Sequence, residues 1–174
     1  MAHLVIDLEM NQPSRKIIQI GAVIGDLESG VIIKTLRLFV NPLEPLNPRI
    51  SKLTGIEASQ LKSPLIETVF SLETFIKQNQ IENEPLIWGT SDITELRKQI
   101  LEGDPNRDVG FLGKSWIDVR SLFFLAARRR GLPEKVNLLS AMKSCGILFS
   151  GRPHDALSDA RNTFIFAYHL LKKA

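Results

Sequence analysis

VIDLEMN, residues 5–11, places two carboxylates two positions apart at the end of an apolar run. Leu4, Val5 and Ile6 are branched or apolar, so HLVID (3–7) predicts a buried β-strand ending at Asp7. Side chains of a strand alternate between its two faces, so Asp7 and Glu9 aim at one side. Taken alone, such a pair reads first as a solvated strand end. The chain around it decides what it is for.

Two further strands follow, KIIQIGAVIGD (16–26) and VIIKTLRLFV (31–40), joined by the turn signal LESG (27–30). Their length and short glycine-containing connection predict an antiparallel hairpin. NPLEPLNPRI (41–50) reads as a loop, because its three prolines lack ladder donors. Beyond it the period changes. SPLIETVFSLETFIKQN (63–79) sets Leu65, Val69, Leu72, Phe75 and Ile76 at helical spacing behind Ser63 and Pro64 as cap and first position. PLIWG (85–89) is a short strand; SDITELRKQIL (91–101) is a helix that Ser91 or Asp92 could cap. After the loop EGDPNRDVG (102–110), SWIDV (115–119) is a strand and RSLFFLAARRR (120–130) a helix. KVNLLSAMKSCG (135–146) is a helix stopped by Gly146. The last helix runs from about Asp155 to Leu171, burying Leu157, Ala160, Phe164, Ala167 and Leu171. Strands first, then strands alternating with helices, predict a mixed α/β sheet covered by helices.

The 174 residues suit one domain, 1–174, with a substantial core. With 44% apolar and 24% charged residues the composition is that of an ordinary globular protein. No apolar run approaches the roughly 20 residues of a membrane-spanning helix, and no membrane partner is expected. The start of the chain carries acids and lacks a leader pattern. Cys145 has no second cysteine to pair with, which fits a small core residue in a reducing cytoplasm. The net charge of +3 permits a polyanionic partner without requiring one.

Three sites then gather acids. The strand end carries Asp7 and Glu9. The exit of PLIWG leads through Gly89 to Asp92, at the first turn of a helix. The closing helix presents Asp159. In an open α/β sheet, ligands collect beyond the carboxyl ends of the strands, which is where these groups would lie. Two such charges about 4 Å apart repel by about 4 kcal/mol at an effective dielectric near 20. Either some protonate or cations fill the gap. Oxygen ligands suit Mg²⁺ or Mn²⁺, and a pair of such ions can clamp both oxygens of a phosphodiester displacement. His154 follows Pro153 and lies five positions before Asp159, the wrong offset for one helix face. It therefore stands on the loop before the helix, where an imidazole suits proton removal from water. The bland alternatives are a helix cap for Asp92, a surface histidine for His154, core for Trp88 and a solvated helix end for Arg128, Arg129 and Arg130.

In this order the residues resemble the DEDD family of 3′→5′ exonucleases, in its histidine-carrying DEDDh branch. DLE (7–9) resembles the first motif, Asp92 the second, and HDALSD (154–159) the third; IIQIGAV, LTGI, WIDVRSLF and GRPHDALSDARN match as flanks. The resemblance implies a ribonuclease-H-like five-stranded sheet with the second strand antiparallel. It implies two Mg²⁺ or Mn²⁺ ions, with Asp7 bridging both, Glu9 and Asp159 sharing the first, Asp92 supporting the second, and His154 as general base. It implies a partner in the 3′ end of single-stranded RNA or DNA, held by Leu8, Met10 and Asn11 with Leu53, Thr54, Gly55 and Ile56. Trp88-Gly89 is closer to the members that trim RNA, which favours RNA. Asp155 departs from the basic or neutral residue of many members. A nucleic-acid-binding or adaptor module without turnover is the alternative on the same fold. Whether the chain works singly or as a homodimer is left open.

Overall fold

A computed structural model describes residues 2–81, 84–128 and 136–172. Strands β1 (Ala2–Met10), β2 (Ile17–Asp26), β3 (Val31–Phe39), β4 (Leu86–Ile87) and β5 (Ile117–Asp118) form one sheet in the order β3-β2-β1-β4-β5. β1 and β3 run antiparallel to β2, and β4 and β5 continue the sheet in parallel with β1. This is the mixed sheet expected from the order of patterns, with the five strands and antiparallel second strand that the family resemblance implies.

Alternation along β1 sorts its side chains into two layers. Leu4, Ile6 and Leu8 enter the core beneath α2 (Leu65–Gln78) and α3 (Ser91–Gly103). Val5 enters the opposite core, built with α4 (Val119–Arg128), α5 (Leu138–Ser144) and α6 (Ala156–Lys172). Asp7 and Glu9 continue the Val5 face, where the apolar filling stops.

β1 extends beyond Asp7 to Met10, because β2 pairs with it as far as Met10↔Ile17 across an irregularity at Glu9. β4 pairs with β1 only at Val5↔Leu86. β1 thus outruns its parallel neighbour, and the overhang carries both acids. An antiparallel partner supports a strand past the point where the parallel one ends, which a reading of apolar runs misses.

The proline-rich segment also differs from expectation. Pro48–Thr54 forms a helix, α1, with Asn47 accepting from Arg49 N, Pro48 in the first turn, and Gly55 closing it at φ 77°. The opening of α2 shifts too: Pro64 is the cap position, since Ser63 O accepts from Asn41 N at 2.8 Å and Asn41 bridges to Pro64. α5 starts at Leu138, its cap Asn137 accepting from Ser140 N. In α6, Ala160, Phe164 and Ala167 are buried, Leu157 only partly, and Leu171 is exposed near its end. Trp88 packs on Phe166 with ring centroids 5.8 Å apart, and Cys145 packs against the edge of the same core. Arg129 and Arg130 lie outside the described residues. No helix among the described residues is long and apolar enough to cross a membrane.

α6 meets the sheet at Gly21, the residue paired with Asp7. A Cβ on Gly21 would fall 2.2 Å from the carbonyl carbon and oxygen of Ala156. Backbone therefore rests on backbone, and no rotamer change can make room. Gly21→Ala is expected to destabilise the protein by roughly 3 kcal/mol, the upper end for overpacking. A thermal melt should show a loss of roughly 6–12 °C. A melt unchanged within about 2 °C would mean that the helix does not rest on this strand.

Candidate active site

Four acids and one histidine reach the overhang of β1 from three directions. Asp7 and Glu9 come from β1 itself. Asp92 comes from the first turn of α3, and Asp159 from that of α6. Neither Ser91 nor Asp92 is a cap, since the helix begins at Ser91 and Thr90 holds the cap position. The Asp92 carboxylate instead accepts from Ser91 Oγ at 3.1 Å. The field of Asp92 reaches Asp7 and Glu9, which places the second acidic site beside the first. Asp92 is buried, at 9% exposure, while Asp7, Glu9 and Asp159 are half-buried.

His154 stands on the exposed turn before α6, with φ 61°. Its backbone N–H donates to Asp159 Oδ2 at 3.3 Å, which turns the loop back over its own helix. One ligand atom each from Glu9, His154 and Asp159 lies within 4.8 Å of the others. Asp7 and Asp92 border this trio without joining it at that distance.

Negative charge is concentrated here. Burial, then repulsion from Asp92, Asp159 and Glu9, pushes the Asp7 carboxyl well above its usual range. Burial, followed by repulsion from Asp159, raises Glu9 to about 8. Burial raises Asp159 to about 7 against the opposing bond from His154. Burial also raises Asp92, against its hydrogen bonds and the fields of Arg15 and Arg120. Among the described residues, no lysine or arginine forms an ion pair with Glu9 or Asp159. Hard oxygen donors crowded until they hold protons, with one imidazole, are the donor set of a divalent cation site.

Asp155 has a structural task. It precedes α6, and its Oδ1 accepts from Ser158 N and Oγ, both at 2.9 Å, and from Arg37 at 2.8 Å. Its Oδ2 accepts from Gln19 Nε2 at 3.1 Å, and Gln19 Oε1 accepts from Ala156 N at 2.8 Å. Burial would raise its carboxyl, but the donors and Arg37 outweigh it and hold the group below its ordinary value. Gln19 is the sheet partner of Glu9. One amide thus fixes the start of α6 beside the acids. A lone glutamine inside IIQIGAV was the signal for it.

The residues expected to hold terminal nucleotides divide by exposure. Leu8, Asn11, Thr54 and Ile56 turn their side chains inward. Asn11 donates to Glu44 Oε1 at 2.6 Å and Pro45 O at 3.0 Å, and accepts from Asn47 N at 2.9 Å. Thr54 Oγ1 donates to Ile50 O and accepts from Ile56 N. Ile56 packs with Ile18 and Leu61. In these four the side chains are engaged by internal hydrogen bonds or core, so any grip on a nucleotide would fall to their backbone groups. Met10 is half-buried, Leu53 is 47% exposed, and Gly55 is exposed. Arg152 donates to Lys52 O at 2.8 Å and Leu53 O at 3.2 Å, joining the end of α1 to the turn of His154.

Comparison with known proteins agrees with this geometry. A family model described as exonuclease, RNase T, matches residues 4–166. The human protein ERI1 exoribonuclease 2 is 28% identical over 206 residues, covering 97% of this chain and 28% of its own length. The chain therefore spans little more than a quarter of that relative. The nuclease domain of 3′hExo, a DEDDh family member solved with rAMP, superposes with a TM-score of 0.85 at 20% identity, over 99% of this chain and 92% of that one. A 3′-exonuclease solved for its 3′-end-specific recognition of a histone mRNA stem-loop gives 0.87 at 19% identity, over 99% and 82%.

Proposed function

The chain belongs to the RNase T family of exonucleases, and from that premise we propose that it removes nucleoside 5′-monophosphates stepwise from the 3′ end of single-stranded nucleic acid, RNA in preference to DNA. The observation that carries this reading is the meeting of Glu9, His154 and Asp159 over the overhang of β1, bordered by Asp7 and Asp92. The domain is residues 1–174. The preference for RNA is supported by the Trp88-Gly89 form of the second motif and by the exoribonuclease name of the human relative.

Asp7, Glu9, Asp92 and Asp159 would hold two Mg²⁺ or Mn²⁺ ions. Bound there, the ions supply Lewis-acid polarisation and a clamp on the attacking and leaving oxygens. The chain's own residues do the rest. His154, on its exposed turn, takes the proton of the attacking water and passes it to solvent. Its N–H on Asp159 keeps the imidazole above the acids. Gln19 and Asp155 hold α6 in register, so Asp159 does not drift from Glu9. The exposed Leu53 and Gly55, at the end of α1, offer a sequence-tolerant bed for a terminal base.

Matched 5′-labelled RNA and DNA strands, each also offered as a duplex, should separate the readings in Mg²⁺ and in Mn²⁺. A ladder shortening from the 3′ end, faster on single-stranded RNA, is expected. Retention of the strand with no shortening under either metal would reject the proposal in favour of a binding module.

A further inference from the structure

On the Asp92 side, the site is flanked by the ends of β4 and β5. Asp118 Oδ1 accepts from Gly89 N and Arg120 N, both at 2.9 Å, and Oδ2 accepts from Ser121 Oγ at 2.7 Å. This carboxylate pins the two strand ends together, and none of these bonds uses the Arg120 guanidinium. Gly89 has φ 93°, and a Cβ there would fall 3.2 Å from Arg120 Cζ. The guanidinium therefore lies against the bare backbone of Gly89, three residues before Asp92. Its field reaches the Asp92 carboxyl. Among the described residues it makes no hydrogen bond and no ion pair. Arg15, the other cation acting on Asp92, is committed to Glu95 at 3.5 Å.

A half-buried arginine with no anion among the described residues, at the carboxyl ends of parallel strands, is placed to take a ligand. A planar fork of donors matches phosphate oxygens. We propose that Arg120 binds a phosphodiester of the substrate strand, on the 5′ side of the terminal nucleotide. This rests on the exonuclease reading above. The Glu9–His154–Asp159 trio receives the terminal linkage, and Arg120 stands outside it, on the Asp92 side, placed to meet the next phosphate of the strand. The glycine of Trp88-Gly89 is what lets the guanidinium lie so close.

Steady-state shortening of a 5′-labelled single-stranded RNA by Arg120→Ala and Arg120→Lys, over a range of KCl, tests this. A lost ground-state contact raises KM and spares kcat. KM should rise about tenfold in Arg120→Ala with kcat within about twofold of wild type. The slope of log(kcat/KM) against log[KCl] should fall by about 0.7, one single-strand phosphate contact. Arg120→Lys should keep the slope and recover part of KM. Unchanged KM and slope would overturn the inference. So would a shifted Mn²⁺ affinity with the slope intact, since Arg120 would then act through Asp92. Either result leaves the exonuclease reading standing; wild type that shortens no strand would remove both. Equal melts for the three proteins confirm that folding is not the cause.

Discussion

Asp7→Asn is expected to lose at least about 10³-fold in strand shortening while the fold stays intact. Electrostatic stabilisation by bound cations contributes several kcal/mol to a displacement at phosphorus. Each 1.4 kcal/mol is about tenfold in rate. Asp7 is the residue on which the fields of Asp92, Asp159 and Glu9 all fall, so its charge does most to hold divalent ions in place. Asparagine has nearly the same volume, so the packing of α6 on Gly21 is undisturbed. In chelator the variant should melt no lower than wild type, since a carboxylate crowded by others is replaced by a neutral group. In Mg²⁺ the wild type should gain more stability than the variant. Activity retained within about tenfold would mean that Asp7 does not hold the ions.

The acids were legible in the sequence because each breaks an apolar pattern at an element's end, where nothing else explains it. Asp7 and Glu9 interrupt a buried run, and Asp159 sits where a helix meets the sheet. The order of strands and helices gave the layers, because periods of 2 and 3.6 are local. What escaped the reading is set by partners distant in sequence. The length of β1 depends on β2, and the role of Asp155 depends on Gln19 and Arg37. α1 is a different case: Asn47, Pro48 and Gly55 form a full set of cap residues, and the prolines nearby concealed a helix of seven residues. Leu8, Asn11, Thr54 and Ile56 stand next to the site in sequence, yet their side chains serve the scaffold. Proximity along a motif does not say which way a side chain faces.

Chelation is expected to abolish turnover and also to make stability fall as pH rises. The sign follows from the raised carboxyls. Glu9 moves from 4.5 to about 8 and Asp159 from 3.8 to about 7, both chiefly by burial. Between those limits the metal-free native state binds more protons than the unfolded chain, so each rise in pH favours unfolding. Above about pH 8 this dependence ends. Asp155, Glu95 and Glu44 are held below their usual values and act oppositely, but only in acid, below the carboxylate range. The informative window is therefore about pH 5 to 8. Discounted for solvent access, the raised groups amount to on the order of 3 kcal/mol, or roughly 6–12 °C of melting temperature. Divalent ions bind the deprotonated site and reverse the trend: binding releases protons, and at about 100 times Kd it adds about 2.7 kcal/mol. The gap between Mg²⁺-loaded and chelated melts should widen from pH 5 to pH 8. A chelated melt that is flat or rising across this window would show that Glu9 and Asp159 do not crowd each other, and the site would lose its reason to hold a cation.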